Sequence, residues 1–239
     1  MDNLISERNY QRTGFDSQRR YPNEQAVQFL AWNYFSLSRA KRKNIKMLEL
    51  GCGSGANLWM IAKEGFDTYG MDIAPTAIQL CKRMLAHYGV KAKLNVGNIK
   101  KLNFKSNFFD AVIDVMTIEH TDLGGHKDAY TEVFRCLKKG GRFFSWHLGA
   151  QSTSFIYGNG KKLDRYTIDN IRNPHVPFPD TGITCFITAP LVKRMLIQAG
   201  FTGIIIERVT RTYKQMTQKT ECFAISARKP KSSTLMKRP

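Results

Sequence analysis

Apolar residues in this chain fall into two alternating patterns. Short unbroken runs are followed by longer stretches in which they recur every three or four positions. That alternation predicts strands followed by helices and an α/β fold class. Met47, Leu48 and Leu50 form a run suited to a central strand buried on both faces. Gly51, Gly53 and Gly55 follow as a tight turn, and a helix with Leu58, Ile61 and Ala62 inward ends at Gly65. Residues 68–72 read as a second strand. Pro75 opens a helix through Tyr88 with Ala77, Cys81, Met84, Leu85 and Tyr88 as its buried stripe. Strands are expected at 92–96, 108–115 and 142–147, with a helix over 126–137 between the last two. Pro190 begins a further helix that ends at Gly200. Two β-rich runs, 203–209 and 221–227, complete the pattern.

The remainder departs from this rhythm. Residues 1–22 are polar, carry Arg8, Arg12, Arg19 and Arg20, lack apolar periodicity and are expected to form a flexible or ligand-ordered arm. Asn23 can cap a helix with Val27, Leu30, Tyr34 and Leu37 at helical spacing, read either as a lid or as a packing helix. Over 148–188 periodicity fails among Tyr157, Gly158, Gly160, Pro174, His175 and Pro177, which suggests a substrate-covering insertion with short elements of its own. The expected organisation is an arm and helix over 1–44, a domain over 45–228 that includes the insertion, and a basic disordered tail over 229–239.

The glycine turn is the candidate ligand cradle. Gly51-Cys52-Gly53-Ser54-Gly55-Ala56 satisfies the dinucleotide pattern G-x-G-x-x-G/A, and Asp72 lies where an acid would grip a ribose. Glu49 separates the alternatives. A carboxylate at the strand end would repel a pyrophosphate, whereas it complements the sulfonium and ammonium of S-adenosylmethionine.

The run Glu49-Leu50-Gly51-Cys52-Gly53-Ser54-Gly55 resembles the first motif, E/D-x-G-x-G-x-G, of the class I S-adenosylmethionine-dependent methyltransferases. The resemblance extends through most of residues 45–147. It implies a three-layer Rossmann-like sandwich whose mostly parallel seven-stranded sheet ends in a C-terminal antiparallel hairpin. It also implies a cofactor set of Glu49, Gly51, Cys52, Gly53, Gly55, Asp72 with Ile73, Asn98 in place of the frequent Asp, Ile99, and Met116. The fourth strand leads into Glu119-His120, similar to the family's frequent E-H pair, and would bring His120 to the mouth of the cleft. His120 is the first candidate for a general base and His147 the second, each weighed against a structural role. Tyr21, Glu119, Tyr157, His175, Arg211 and Lys214 are the candidates for acceptor binding, and no metal is expected.

Composition sharpens the partner question. The formal net charge is +18, with 37 basic and 19 acidic residues, and residues 189–239 hold 11 of the former and 2 of the latter. An anionic small-molecule acceptor is one reading of this excess, RNA a second, and a solvated surface a third. Against RNA, no N/D-P-P-Y/F motif, Pro-Cys pair or RNA-binding module occurs. A non-catalytic S-adenosylmethionine-binding regulator and a nicotinamide oxidoreductase are the other readings. Five scattered cysteines without a C-x-x-C pair argue against a disulfide framework or zinc site. There is no charged-then-apolar leader and no apolar run approaching ~18 residues. The expectation is a cytoplasmic protein without a membrane span.

Overall fold

The computed structural model describes residues 2–16 and 18–231. Seven strands form one sheet: β1 (Lys46–Leu50), β2 (Asp67–Asp72), β3 (Lys93–Val96), β4 (Phe109–Val115), β5 (Leu137–Leu148), β9 (Thr202–Tyr213) and β10 (Gln218–Arg228). Their order is β3-β2-β1-β4-β5-β10-β9, with β1 to β5 parallel and β10 antiparallel to both β5 and β9. The order reverses between β1 and β4, and a crevice opens beyond their C-terminal ends.

The sheet is buried on both faces because its central strands carry apolar side chains in both directions. One layer contains α6 (Leu123–Cys136) and α8 (Ala189–Gln198), packed on Leu48, Val112, Phe143, Phe223 and Ile225. On the opposite face, α2 (Glu24–Leu30) and α4 (Leu58–Lys63) cover Met47, Ala111, Ile113, Phe144 and Ala224, while α5 (Pro75–His87) packs beside β2 and β3. Phe29 of α2 stacks on Phe144 with ring centroids 5.1 Å apart. Burying such a ring stabilises the fold by about 1.5–3 kcal/mol. Asn23 caps α2 as expected, its side chain accepting from the Ala26 N–H, and the chain continues through a π-helical turn, Ala31–Phe35. The helix is therefore a packing element. A short α3 (Arg39–Arg42) then leads into β1.

Three expectations change. The N-terminal arm contains a helix, α1 (Asp2–Thr13), whose Glu7 carboxylate accepts from both the N–H and hydroxyl of Thr76 at the start of α5. A polar helix without an apolar stripe gives no period to detect. It is held by tertiary bonds instead. The C-terminal strands are also longer than predicted, so Arg208, Arg211 and Tyr213 lie within β9, and only residues 214–217 form the turn. Thr, Tyr and Val support an extended conformation even when most of the strand is exposed.

The tail expected over 229–239 begins as anchored chain. Lys229 Nζ donates to the carbonyls of Phe134 and Leu137, both at 2.8 Å. Residues 232–239 lie outside the described ones. The segment over 148–188 has its own elements: α7 (Thr153–Tyr157) and a three-stranded antiparallel sheet of β6 (Lys161–Lys162), β7 (Thr167–Asp169) and β8 (Ile183–Cys185). These close over a small core of Ile168, Ile171, Val176 and Phe186 with Leu148 and Cys222. Among the described residues no helix is long and apolar enough to cross a membrane.

Candidate active site

The crevice at the strand-order reversal holds a cavity of about 450 Å³, lined by the β1 turn, the ends of β2 and β4, and α1. Its floor is the glycine turn. Gly51 has φ +55°, and a Cβ there would meet Thr117 at 2.2 Å, so the backbone conformation and the close approach of β4 both require glycine. Thr117 fastens that approach by donating from Oγ1 to Leu50 O at 3.1 Å. Asn57 stands at the N-terminal boundary of α4, two residues beyond Gly55.

Glu49 is the more buried of the two acids that line the cavity. It is 2 % exposed; Oε1 accepts from Asn57 Nδ2 at 2.6 Å, and Oε2 is buried without a hydrogen-bond partner among the described residues. Asn57 is itself fixed, since its Oδ1 accepts from the Asn23 N–H at 2.7 Å. Burial pushes the Glu49 carboxyl up to about 8 against the lowering effect of Asn57. A buried carboxylate oxygen lacking a donor is costly unless a ligand supplies one. The wall around it prepares a place for a cation.

Asp72 ends β2 with its carboxylate oriented by two backbone donors: Gly53 N to Oδ2 and Ala74 N to Oδ1, each 2.9 Å. Burial raises its pKa although both donors oppose that shift. Gly55, another member of the expected cofactor set, is outside the lining, whereas Ile73, Cys52, Ile99 and Met116 also line the cavity. Asn98 lines it as well, but its amide oxygen accepts from the Lys100 N–H at 2.9 Å, closing an Asx turn. That bond occupies one acceptor position of the oxygen.

The other wall comes from the part of the sequence that gave no periodic signal. Ser6 and Tyr10 of α1, with Gln18 and Arg19 after it, complete the cavity. A Cβ on Gly53 would lie 2.8 Å from the Tyr10 hydroxyl, so the ring is seated directly over the turn. Burial raises the Tyr10 pKa and keeps its hydroxyl protonated. Beyond it, Ser54 Oγ donates to Arg19 O at 3.4 Å and Trp59 Nε1 to Arg20 O at 3.1 Å, tying the segment after α1 to the turn and α4. No motif marked these residues. The readable hint was the expectation that residues 1–22, with Arg19, form an arm ordered by a ligand.

His120 lies in the 3-10 turn Ile118–His120 after β4 and lines the cavity. Its Nδ1 is 3.1 Å from the carbonyl of Ile183 in β8. A carbonyl accepts only from a protonated nitrogen, so this contact fixes the tautomer with Nε2 as the basic atom. The turn preceding it is built on Asp114, which accepts from the N–H groups of Thr117 and Ile118, both at 3.1 Å, and from Ser145 Oγ.

His147 is elsewhere. It is fully buried and outside the cavity, its Nε2 2.8 Å from His126 Nε2 and its Nδ1 2.9 Å from Leu148 O. Burial depresses both rings, His126 to about 4 and His147 well below the ordinary value. They form a neutral bonded pair, which gives His147 a structural place and removes it from contact with a substrate. Glu119 is also buried and outside the cavity lining, accepting from Leu148 N at 3.0 Å, with burial raising it to about 8. Tyr21, Tyr157, His175, Arg211 and Lys214 are all exposed and none lines the cavity. Arg211 and Lys214 are at the β9–β10 hairpin, at the far edge of the sheet, because the antiparallel strands extend it away from the reversal point.

The site thus defines a class: a doubly wound nucleotide cradle whose acid at the first strand end suits a cationic ligand. Residues 47–141 match the family described as "Methyltransferase domain". The chain is 26% identical over 108 residues to a sterol 4-C-methyltransferase of Caenorhabditis elegans, covering 44% of this chain and 32% of that protein. It is 30% identical over 120 residues to a sterol 24-C-methyltransferase of Aspergillus fumigatus, covering 48% and 31%. It spans about a third of the length of these curated relatives. A solved methyltransferase from Methanosarcina mazei, described as S-adenosylmethionine-dependent, superposes with a TM-score of 0.65 at 22% identity, covering 78% of this chain and 93% of the other. Residues 47–141 thus carry a methyltransferase domain, and the fold is that of the solved S-adenosylmethionine-dependent methyltransferase. The cradle fits that cofactor: a buried oxygen of Glu49 awaits a donor, and Asp72 stands ready for hydroxyls.

Proposed function

We propose that this protein transfers a methyl group from S-adenosylmethionine to an oxygen or nitrogen of a small, anionic molecule. The single observation that carries the reading is His120, held in one tautomer at the cavity by Ile183 O while Glu49 prepares the cation-binding end. In this reading Glu49 Oε2 takes the ammonium, Asp72 takes the ribose hydroxyls, and Tyr10 covers the cradle against water. When bound, the cofactor supplies an electrophilic methyl group on a sulfonium. His120 Nε2 removes the acceptor's proton as the new bond forms, and the β4 turn holds the imidazole in line. Arg19 and Lys100, the basic residues of the lining, support the anionic character of the acceptor.

The closed wall formed by α1 favours a compact acceptor, and the sterol relatives are named for small-molecule substrates. The insertion over 148–188 contributes to this reading through the β8 carbonyl that orients His120. RNA is the second reading, favoured by the basic C-terminal fifth. Arg208, Arg211, Lys214 and Lys219 lie on the hairpin at the far edge of the sheet, however, which weakens it. The test is incubation with methyl-labelled cofactor and a cell extract separated into low-mass, lipid, protein and nucleic-acid fractions. Label in the low-mass or lipid fraction is expected. Nuclease-sensitive label would contradict the proposal.

A further inference from the structure

Strand β9 is 12 residues long and lies at the edge of the sheet, paired on one side only among the described residues. Its pairing with β10 sets Glu207 opposite Ala224, which packs beneath α2. Side chains alternate along a strand, so Ile205, Glu207, Val209, Arg211 and Tyr213 share that face. All five are exposed, and Ile205 is 58 % exposed. A long edge carrying apolar residues is a template for another strand unless charge or a bulge blocks it.

The order along this face is apolar, acidic, apolar, basic, apolar, and it is symmetric about Val209. In an antiparallel pair of identical strands related by a two-fold axis perpendicular to the sheet, opposed residues must lie on the same face. An axis through Val209 sets Val209 against its own copy, Glu207 against Arg211 twice, and Ile205 against Tyr213 twice. Moving the axis to Arg208 opposes two arginines, and moving it to Glu207 opposes two glutamates. Moving it to Thr210 leaves Glu207 facing Tyr213. Only the Val209 register pairs opposite charges and buries apolar residues together. On the other face, Arg208 leans toward its own Glu221, 3.9 Å away.

We propose that β9 is a homodimer interface in which two copies join their sheets, antiparallel, about a two-fold axis at Val209. The charge complementarity of the strand with itself selects a second copy over an unrelated strand. Sedimentation velocity of the full chain up to about 100 μM is expected to show a reversible dimer. Glu207→Arg, which places arginines opposite Arg211, should raise the dimer dissociation constant at least about tenfold. Glu207→Arg with Arg211→Glu exchanges the charges and should restore the dimer. Val209→Lys should leave monomer, with S-adenosylhomocysteine binding retained as proof of folding. A wild-type monomer throughout, a dimer indifferent to Val209→Lys, or failure of the exchanged pair to rescue Glu207→Arg would each overturn the proposal.

Discussion

Glu49 and His120 show opposite uses of burial. Glu49 loses the water that would stabilise its charge and is left with one oxygen unbonded, so its affinity for a proton stands in for its affinity for a cation. His120 is half-buried, and the contact of its Nδ1 with Ile183 O decides which nitrogen is basic. Both residues were readable in the chain, because a carboxylate immediately before a glycine turn and a Glu-His pair after a strand are short-range patterns. The separation of His120 from His147 was not readable. It depends on side-chain direction at two strand ends, and His147 turns toward His126 in the core. His120→Gln is expected to lower kcat by about 100-fold or more while leaving S-adenosylhomocysteine affinity within about threefold. Turnover close to wild type would assign His120 to positioning and indicate an acceptor that needs no base.

Among the elements, α1 separates a complete site from half of one. Its residues give no apolar stripe, yet they supply Ser6 and Tyr10 to the cavity. Glu7 at Thr76 is the fastening seen between α1 and α5. Charge-assisted bonds of this kind contribute about 1.5–3 kcal/mol when both partners are held. Glu7→Ala is therefore expected to raise the dissociation constant for S-adenosylhomocysteine about tenfold, and to speed proteolysis before residue 20 in the free protein. Unchanged affinity and unchanged proteolysis would show that α1 does not depend on this contact. The insertion was legible as an interruption of periodicity but not as a fold, since strands as short as β6, β7 and β8 carry too few residues to display alternation.

For the whole molecule, the succession of strands and helices announced the α/β class, but the spatial order of the strands does not follow from spacing along the chain. The resemblance supplied the expected class, and the observed β3-β2-β1-β4-β5-β10-β9 sheet has the predicted antiparallel hairpin at one end. Part of the excess positive charge sits on the β9–β10 hairpin at the edge of the sheet, so a net charge of +18 says less about the acceptor than Arg19 and Lys100 do. The central claim is that the reversal point is built for a cationic cofactor around Glu49. Calorimetric titration of S-adenosylhomocysteine and NAD at pH 6 to 8.5 tests it most directly. The ligand ammonium favours the charged carboxylate, so affinity should rise with pH below about 8 and binding should release protons there. Glu49→Gln should flatten that dependence and weaken binding at least about tenfold. NAD binding as tight as S-adenosylhomocysteine, or a pH profile unchanged in Glu49→Gln, would contradict the account.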